Sequence, residues 1–333
     1  MGRPQEERWT PVSDAVRVGG DGSLRAAADV ARRYYLDGRS KVEIAAELGL
    51  SRFKVARLLD LANEAGIVRI EIVEPVEEQV LELAEEVRSR WGLKDCRVVP
   101  TSTAAAADVG QAAAELLVGL LGPQDVLGLP WSRSVHAMVD IFTTLPTVPA
   151  VPIVQLSGAM ASSTVDSSTI DLVRRASRKA GAGRKVFFAP LVMPDREAAD
   201  AVRRDPAVRD TLAAASTVTV AMVGVGGWGP GSSTIYDAVD EPVREEVADA
   251  GAVGEVAGIF FDVDGGIVET DLSARIIALS PAHLTQIPTV LSSAHQVERV
   301  PALAAALRGG LVNTLVVTAD VAEELLTGCP GPG

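Results

Sequence analysis

The amino-acid sequence predicts an α/β protein in which a small N-terminal winged helix-turn-helix precedes a large domain built on a mainly parallel sheet. Three observations carry this expectation. The chain of 333 residues is longer than one hydrophobic core usually supports. Between residues 24 and 66, three short helical patterns are separated by glycines, and the second and third are opened by serines. Beyond Leu93, apolar runs alternate with Ala-rich helical stretches, the texture of βα units whose sheet is covered on both faces. The composition, 47% hydrophobic with only 4% aromatic residues, suits the same class and excludes disorder throughout.

Residues 1–22 lack periodicity and carry Pro4, Pro11, Gly19, Gly20 and Gly22, so a flexible tail is expected there. Residues 23–74 form the helix-turn-helix. Helical spacing from Leu24 to Leu36 stops at Gly38, and Ser40 with Glu43 reads as a capping box. Gly49 and Leu50 lead to a third helix opened by Ser51, and Ile67–Val73 alternates as a strand or wing. Residues 75–92, beginning at Pro75, carry Val76, Val80, Leu83, Val87 and Trp91 as a narrow apolar stripe on a charged helix. Such a stripe suits an oligomerising linker helix, or one that caps the larger domain. In the domain at 93–328 the candidate strands are 96–99, 125–129, 152–156, 185–188, 217–224, 275–279 and 313–317. The candidate helices are 108–121, 133–142, 168–180, 196–214, 237–250 and 298–308, with a tail at 329–333.

The formal charge is −13, which disfavours a whole surface adapted to polyanions. Residues 22–70 depart from that balance, with nine basic side chains against six acidic ones. Cys96 and Cys329 stand far apart with no CxxC or Cys/His cluster, so neither a disulfide framework nor a zinc site is expected, which fits a reducing cytoplasm. The N-terminus has no signal-peptide core and no run of 18 apolar residues occurs, so secretion and membrane spanning are not expected.

The third helix begins Ser51-Arg52-Phe53-Lys54-Val55-Ala56-Arg57. With Val55, Leu58 and Leu59 inward, Arg52, Lys54 and Arg57 remain outside, able to reach phosphates or guanine edges of double-stranded DNA. Ser51 caps the helix and offers a hydroxyl to phosphate, and Phe53 lies on the same exposed turn. Arg39, Ser40 and Lys41 at the preceding helix start are candidate backbone contacts. A helical domain with merely solvated charges, or a protein-binding adaptor, is the competing interpretation.

These residues also carry a family resemblance. Val30-Ala31-Arg32-Arg33-Tyr34-Tyr35, Leu48-Gly49-Leu50-Ser51-Arg52 and Ala65-Gly66-Ile67-Val68 resemble the N-terminal domain of SorC-family sugar-responsive transcriptional regulators. Further matches are Asp125–Trp131, Val154-Gln155-Leu156, Val223-Gly224-Val225-Gly226, Gly251–Glu255, Phe260-Phe261-Asp262 and Leu307–Asn313. The resemblance implies a Rossmann-like effector domain similar to sugar-phosphate isomerases and CoA transferases. It also implies a sugar or sugar-phosphate effector, an operator as DNA partner, and a homo-oligomer, dimer or tetramer. No cofactor and no metal are expected.

Within that frame, Trp131-Ser132-Arg133-Ser134 lies between a strand and a helix start, where hydroxyls, amides, helix dipole and a guanidinium converge on an anion. A serine-capped turn is the alternative. Gln155, Ser157 and Gly158 follow the next strand as hydroxyl-binding candidates, Asp262 and Asp264 as acceptors, and Arg299 stands where the family commonly has lysine. The family's usual Ser-Trp-Gly-Arg-Thr is here Pro130-Trp131-Ser132-Arg133-Ser134. Losing a glycine limits backbone approach to a ligand, and Pro130 removes an N–H donor.

Gly224-Val225-Gly226-Gly227-Trp228-Gly229 matches the dinucleotide fingerprint, but Pro230-Gly231-Ser232-Ser233 prolongs the loop where its helix should begin. Gly224 and Gly226 are therefore expected in a flexible wall of the sugar pocket, with Trp131 and Trp228 flanking it. His136, His283 and His295 show no metal-ligand spacing. The expected function is a DNA-binding regulator and not an enzyme. The alternative, an isomerase-like enzyme with a DNA-binding extension, has only Asp262 or Asp264 to offer as general base.

Overall fold

The computed structural model describes residues 21–68, 78–160, 168–329 and 331. Contacts divide the chain into two units, Met1–Pro75 and Val76–Gly333. The expected tail up to residue 20, the wing beyond Val68 and most of the last four residues lie outside the described residues.

The small unit has helices α1 (Asp21–Tyr35), α2 (Lys41–Leu48) and α3 (Arg52–Glu64), with α1 starting two residues before the expected Ser23. Ala27, Val30, Ile44, Val55, Leu58 and Ala62 meet in its core, so each helix contributes one apolar face.

In the large unit, α4 (Glu78–Trp91) buries Val80, Val87 and Trp91 in the same core as the sheet residues Val98 and Leu315. The described part of the stripe, Val80, Leu83, Val87 and Trp91, therefore packs on the unit's own elements, and Val76 lies outside the described residues. Leu81 remains 58% exposed. The chain continues as β1 (Asp95–Val99), α5 (Ala105–Leu120), β2 (Leu127–Leu129), α6 (Arg133–Phe142), β3 (Ile153–Gln155) and α7 (Thr169–Ala180). There follow β4 (Arg184–Lys185), α8 (Arg196–Arg203), α9 (Pro206–Ala213) and β5 (Val220–Val223). A second region comprises β6 (Val225–Gly227), α10 (Thr234–Ala238), α11 (Glu241–Asp249), β7 (Gly254–Val256), β8 (Ile259–Phe261), β9 (Ile267–Val268), α12 (Asp271–Arg275) and α13 (Pro281–Gln286). The chain ends with β10 (Thr289–Ala294), α14 (Val300–Arg308), β11 (Thr314–Thr318) and α15 (Ala319–Thr327).

Among the described residues the main sheet has seven parallel strands in the order β1-β11-β10-β5-β2-β3-β4. Its faces are both apolar: Val220, Met222 and Val316 join the core under α5, α6 and α7, while Ala221, Val223, Leu315 and Val317 join the core under α4, α14 and α15. Strands β2, β3 and β4 are added in one direction, and β5, β10 and β11 in the other. The topology thus reverses between β2 and β5, where open α/β sheets leave a crevice. A smaller antiparallel sheet, β6-β7-β8-β9, follows directly from β5.

Several expectations change. The helix expected at 196–214 is broken because Asp205 accepts from Ala207 N and Val208 N and so opens α9, with Pro206 in its first turn. The helix expected at 237–250 divides at Asp240 and Pro242 into α10 and α11. Residues 275–279 are not a strand; Arg275 ends α12, and the residues after it make isolated bridges, Ile276 to Val192 and Ala278 to Ser157. No described helix is long and apolar enough to cross a membrane.

The β8–β9 turn is tied to α14 by a glycine pair. Gly265 has φ +84°, and a Cβ there would stand 2.4 Å from Ala305 O, while one on Gly309 would stand 2.3 Å from Gly265 O. Gly265→Ala combines a left-handed backbone with backbone overlap, and is expected to lower stability by about 2–4 kcal/mol, read from the urea midpoint. An unchanged midpoint would show that the turn moves away from α14 at no cost.

Candidate functional site

In the small unit, two serine caps set the geometry of the turn. Ser40 N donates to Glu43 Oε2 at 2.8 Å and Glu43 N donates back to Ser40 Oγ at 3.3 Å. Ser51 Oγ accepts from Lys54 N at 3.2 Å. Helix α3 buries Val55, Leu58, Leu59 and Ala62, which leaves Arg52, Phe53, Lys54 and Arg57 on its exposed face. Among the described residues, Arg52, Lys54 and Arg57 make no ion pair. Arg33, by contrast, lies 3.2 Å from Asp29 and 2.8 Å from Glu47, and Arg39 lies 3.8 Å from Glu47. Lys41 Nζ lies 5.7 Å from the centre of the Tyr34 ring. Arg52, Lys54 and Arg57 thus form a group of exposed cations on α3 without ion pairs among the described residues; Arg32 of α1 is also exposed without one.

In the large unit, a cavity of about 300 Å³ is lined by Val109 and Gly110 of α5, Arg133, Ser134 and Ala137 of α6, and Ser293 to Gln296 together with Arg299. An adjoining recess of about 30 Å³ shares Arg133, Ser134 and Arg299 and adds Ser132, Gly224, Gly226 and Glu255. These elements meet at the carboxyl ends of β5 and β10 and the segment following β2. Gly224 is required there, since a Cβ would stand 2.6 Å from Ser132 Oγ and 3.1 Å from Ser134 Oγ.

Ser132 Oγ accepts from Val135 N at 3.0 Å and so caps α6, leaving the first-turn amides of Arg133 and Ser134 without an intrahelical acceptor. Arg133 donates to Gly231 O at 2.6 Å, tying down the glycine-rich loop. The Arg299 backbone N donates to Gln296 O at 3.1 Å, while its guanidinium makes no hydrogen bond or ion pair within 4 Å among the described residues. Burial, and then the positive charge of Arg133, pushes its guanidinium below the ordinary value, while Glu255 pulls it back up. The Glu255 carboxylate accepts from Ser233 Oγ at 3.1 Å and from Gly258 N at 3.0 Å. Burial pushes its pKa up, opposed first by the Gly258 N–H, then by the Ser233 hydroxyl and the two arginines. Burial and Arg299 push His295 down, favouring the neutral imidazole as a hydrogen-bonding wall. Two guanidiniums, serine hydroxyls and a helix N-terminus are donors for an anion, and the carboxylate and imidazole can accept from hydroxyls.

Known proteins share this plan. The family described as "Putative sugar-binding domain" matches residues 76–327. "Transcriptional regulator LsrR" of Escherichia coli strain K12 is 30% identical over 307 residues, covering 90% of this chain and 93% of that protein. The chain belongs to the SorC family of sugar-binding transcriptional regulators. The LsrR of Enterobacter sp. strain 638 is likewise 30% identical, over 305 residues covering 90% of this chain and 92% of that protein. The full-length sorbitol operon regulator SorC from Klebsiella pneumoniae has a similar structure, with TM-score 0.78 and 25% identity, covering 91% of this chain and 99% of that one. A DeoR family regulator from Listeria monocytogenes has TM-score 0.68 and 25% identity over 74% of this chain and all of that one, 100%.

In this SorC-family chain the structure gathers Ser132, Arg133, Ser134, Gly224, Gly226 and Arg299 at the cavity and its recess. It places the other expected residues elsewhere. Gln155 is fully buried and its amide is committed to the backbone, donating to Ser157 O at 2.9 Å and accepting from Phe187 N at 3.1 Å. Ser157 is also buried, and its Oγ accepts from Trp131 N at 2.9 Å, so it holds the Trp131–Ser134 segment in position. Gly158 passes so close to Pro190 that a Cβ would stand 2.5 Å from its carbonyl oxygen. Trp131 is buried, and Trp228 donates to Arg244 O and packs edge-on against Tyr236 and Phe260; neither lines the cavity.

Asp262 organises the β8–β9 turn, its Oδ1 accepting from Asp264 N and Gly266 N, and neither aspartate lines the cavity. The dinucleotide fingerprint fails too, because Gly226 and Gly227 belong to antiparallel β6 and the next helix waits until Thr234. Sequence reasoning missed Glu255, although it closes the quoted Gly251–Glu255 match. It also missed Ser293 to Gln296, which belong to or follow the unforeseen strand β10.

A carboxyl whose folded pKa is raised contributes stability below its ordinary value of 4.5 that is lost as pH climbs through the raised value. The protein is therefore expected to lose stability relative to Glu255→Gln as pH rises above 4.5. Melting temperatures of both proteins between pH 4.5 and 7 check this; a difference that does not vary with pH would contradict it.

Proposed function

We propose that this chain is a one-component regulator that binds operator DNA through α3 and a sugar or sugar-phosphate in the cavity at Arg133, Ser134 and Arg299. The observation that carries the ligand site is the Arg299 guanidinium, partly buried at the cavity beside Arg133, with no hydrogen bond or ion pair within 4 Å among the described residues and only the more distant Glu255 opposing its charge. An anion there supplies the missing counter-charge, assisted by the α6 amides and Ser134. Glu255 and His295 are placed to select a polyhydroxylated ligand, since each can accept from a hydroxyl. Operator and effector affinities are coupled through a homo-oligomer, dimer or tetramer, in which the effector favours one arrangement and operator affinity changes reciprocally. Unpaired Cys96 and Cys329 support action in the cytoplasm.

The absence of enzymatic activity is part of this proposal. Asp262 and Asp264, the carboxylates proposed as a general base, lie outside the cavity, and Glu255 is held in the recess by two hydrogen bonds. Turnover of phosphorylated sugars by the purified protein would overturn it.

Isothermal titration of the intact protein against phosphorylated and unphosphorylated sugars is expected to find one saturable class. Arg299→Ala should weaken a phosphorylated ligand about tenfold or more. Equal binding by the variant would remove Arg299 from the site. Arg52→Ala and Arg57→Ala should each weaken DNA binding and reduce the dependence of log K on log salt by about 0.9, with ligand binding unchanged. An unaltered salt slope would remove α3 from the DNA interface.

A further inference from the structure

We propose that Phe53 reads the 5-methyl group of a thymine in the major groove and so sets a base preference of this chain's operator. The inference rests on the reading of α3 as the recognition helix. Phe53 is 85% exposed; Phe188 of the large unit is 80% exposed, and Phe142, Phe187, Phe260 and Phe261 are fully buried. The core of the small unit closes without it, since α3 contributes Val55, Leu58, Leu59 and Ala62. Its place is the second residue of the helix, directly after the Ser51 cap and Arg52. N-terminal residues of a recognition helix are the ones that meet base edges.

Its neighbours fit the same surface. Arg52 and Lys54 flank it and Arg57 follows one turn later, all exposed and without ion pairs among the described residues. Cations around an apolar side chain match a phosphate-lined groove with an apolar group at its floor. A phenyl ring can form no conventional hydrogen bond with a base edge or a phosphate. The C5-methyl of thymine is the apolar group that the standard bases present in the major groove, and phenylalanine is among the side chains that contact it. Arginine and lysine then position the helix on the backbone while Phe53 discriminates thymine from cytosine.

The test uses the intact protein to select a binding site from random double-stranded DNA, then replaces each thymine of that site in turn with deoxyuridine. Pairing is unchanged and one methyl is lost. Wild type is expected to lose about fourfold in affinity at a thymine met by the recognition helix, the size of one buried methylene. Phe53→Ala should bind thymine and uracil versions equally while keeping the wild-type melting temperature and salt slope, and Phe53→Leu should retain part of the preference. The proposal is overturned if the uracil effect persists undiminished in Phe53→Ala, or if no thymine of the site is methyl-sensitive. Failure of Arg52→Ala and Arg57→Ala to alter DNA affinity overturns instead the assignment of α3, and the Phe53 reading with it.

Discussion

The reversal of strand order between β2 and β5 is the constraint from which the candidate ligand site follows. Parallel strands need crossover helices, and where successive crossovers leave in opposite directions no helix can cover the strand ends. The opening left there is narrow because both sheet faces are already filled. Residues on its rim must therefore be small or polar: Gly224 passes the Ser132 and Ser134 hydroxyls, Gly226 passes Glu255, and Ser293 ends near Arg299. The buried Gln155 and Ser157 serve the same end indirectly by fixing the backbone from which Ser132 to Ser134 project.

Electrostatics then distinguish this crevice from a merely polar cleft. Arg133 and Arg299 are close enough for each other's charge to matter, and Arg299 is partly buried. A single buried carboxylate, Glu255, opposes them, and its own burial favours the neutral form. The crevice therefore holds like charges together with incomplete compensation. Binding of the proposed anionic effector would relieve that repulsion and so concentrate the favourable energy in the bound state.

Much of this was legible in the sequence where local chemistry decides structure. The three small helices follow from serine caps and glycine stops, and α6 occupies residues 133–142 as its spacing indicates. Legibility failed where tertiary contacts decide. Strand β10 ends in Ser292-Ser293-Ala294, an interrupted apolar run that only the central place between β5 and β11 makes a strand. The small antiparallel sheet uses strands of two or three residues, too short for a period to register. Gln155 reads as a ligand because a polar residue at a strand end is often exposed; here neighbouring backbone satisfies both ends of its amide. Glu255 is the converse case, a carboxylate in a buried strand that only the fold brings against two arginines.

Charge distribution sets the energy scale on which the proposed switch works. The chain is acidic as a whole, and of the basic residues in the small unit Arg33 and Arg39 are engaged by carboxylates. The proposed recognition helix thus offers few cations without ion pairs among the described residues, centred on Arg52, Lys54 and Arg57. Affinity that depends on few phosphate contacts per subunit is modest and salt-sensitive, so in the proposed homo-oligomer the operator would be held by several subunits engaging it in register. A coupling free energy of about 1–3 kcal/mol, the ordinary range for allosteric proteins, changes operator affinity about 5- to 150-fold. With so small an electrostatic reserve on the proposed recognition helix, a coupling of that size would be enough for the proposed switch between bound and released states. A more basic reading unit would require a ligand with a larger preference between the two arrangements.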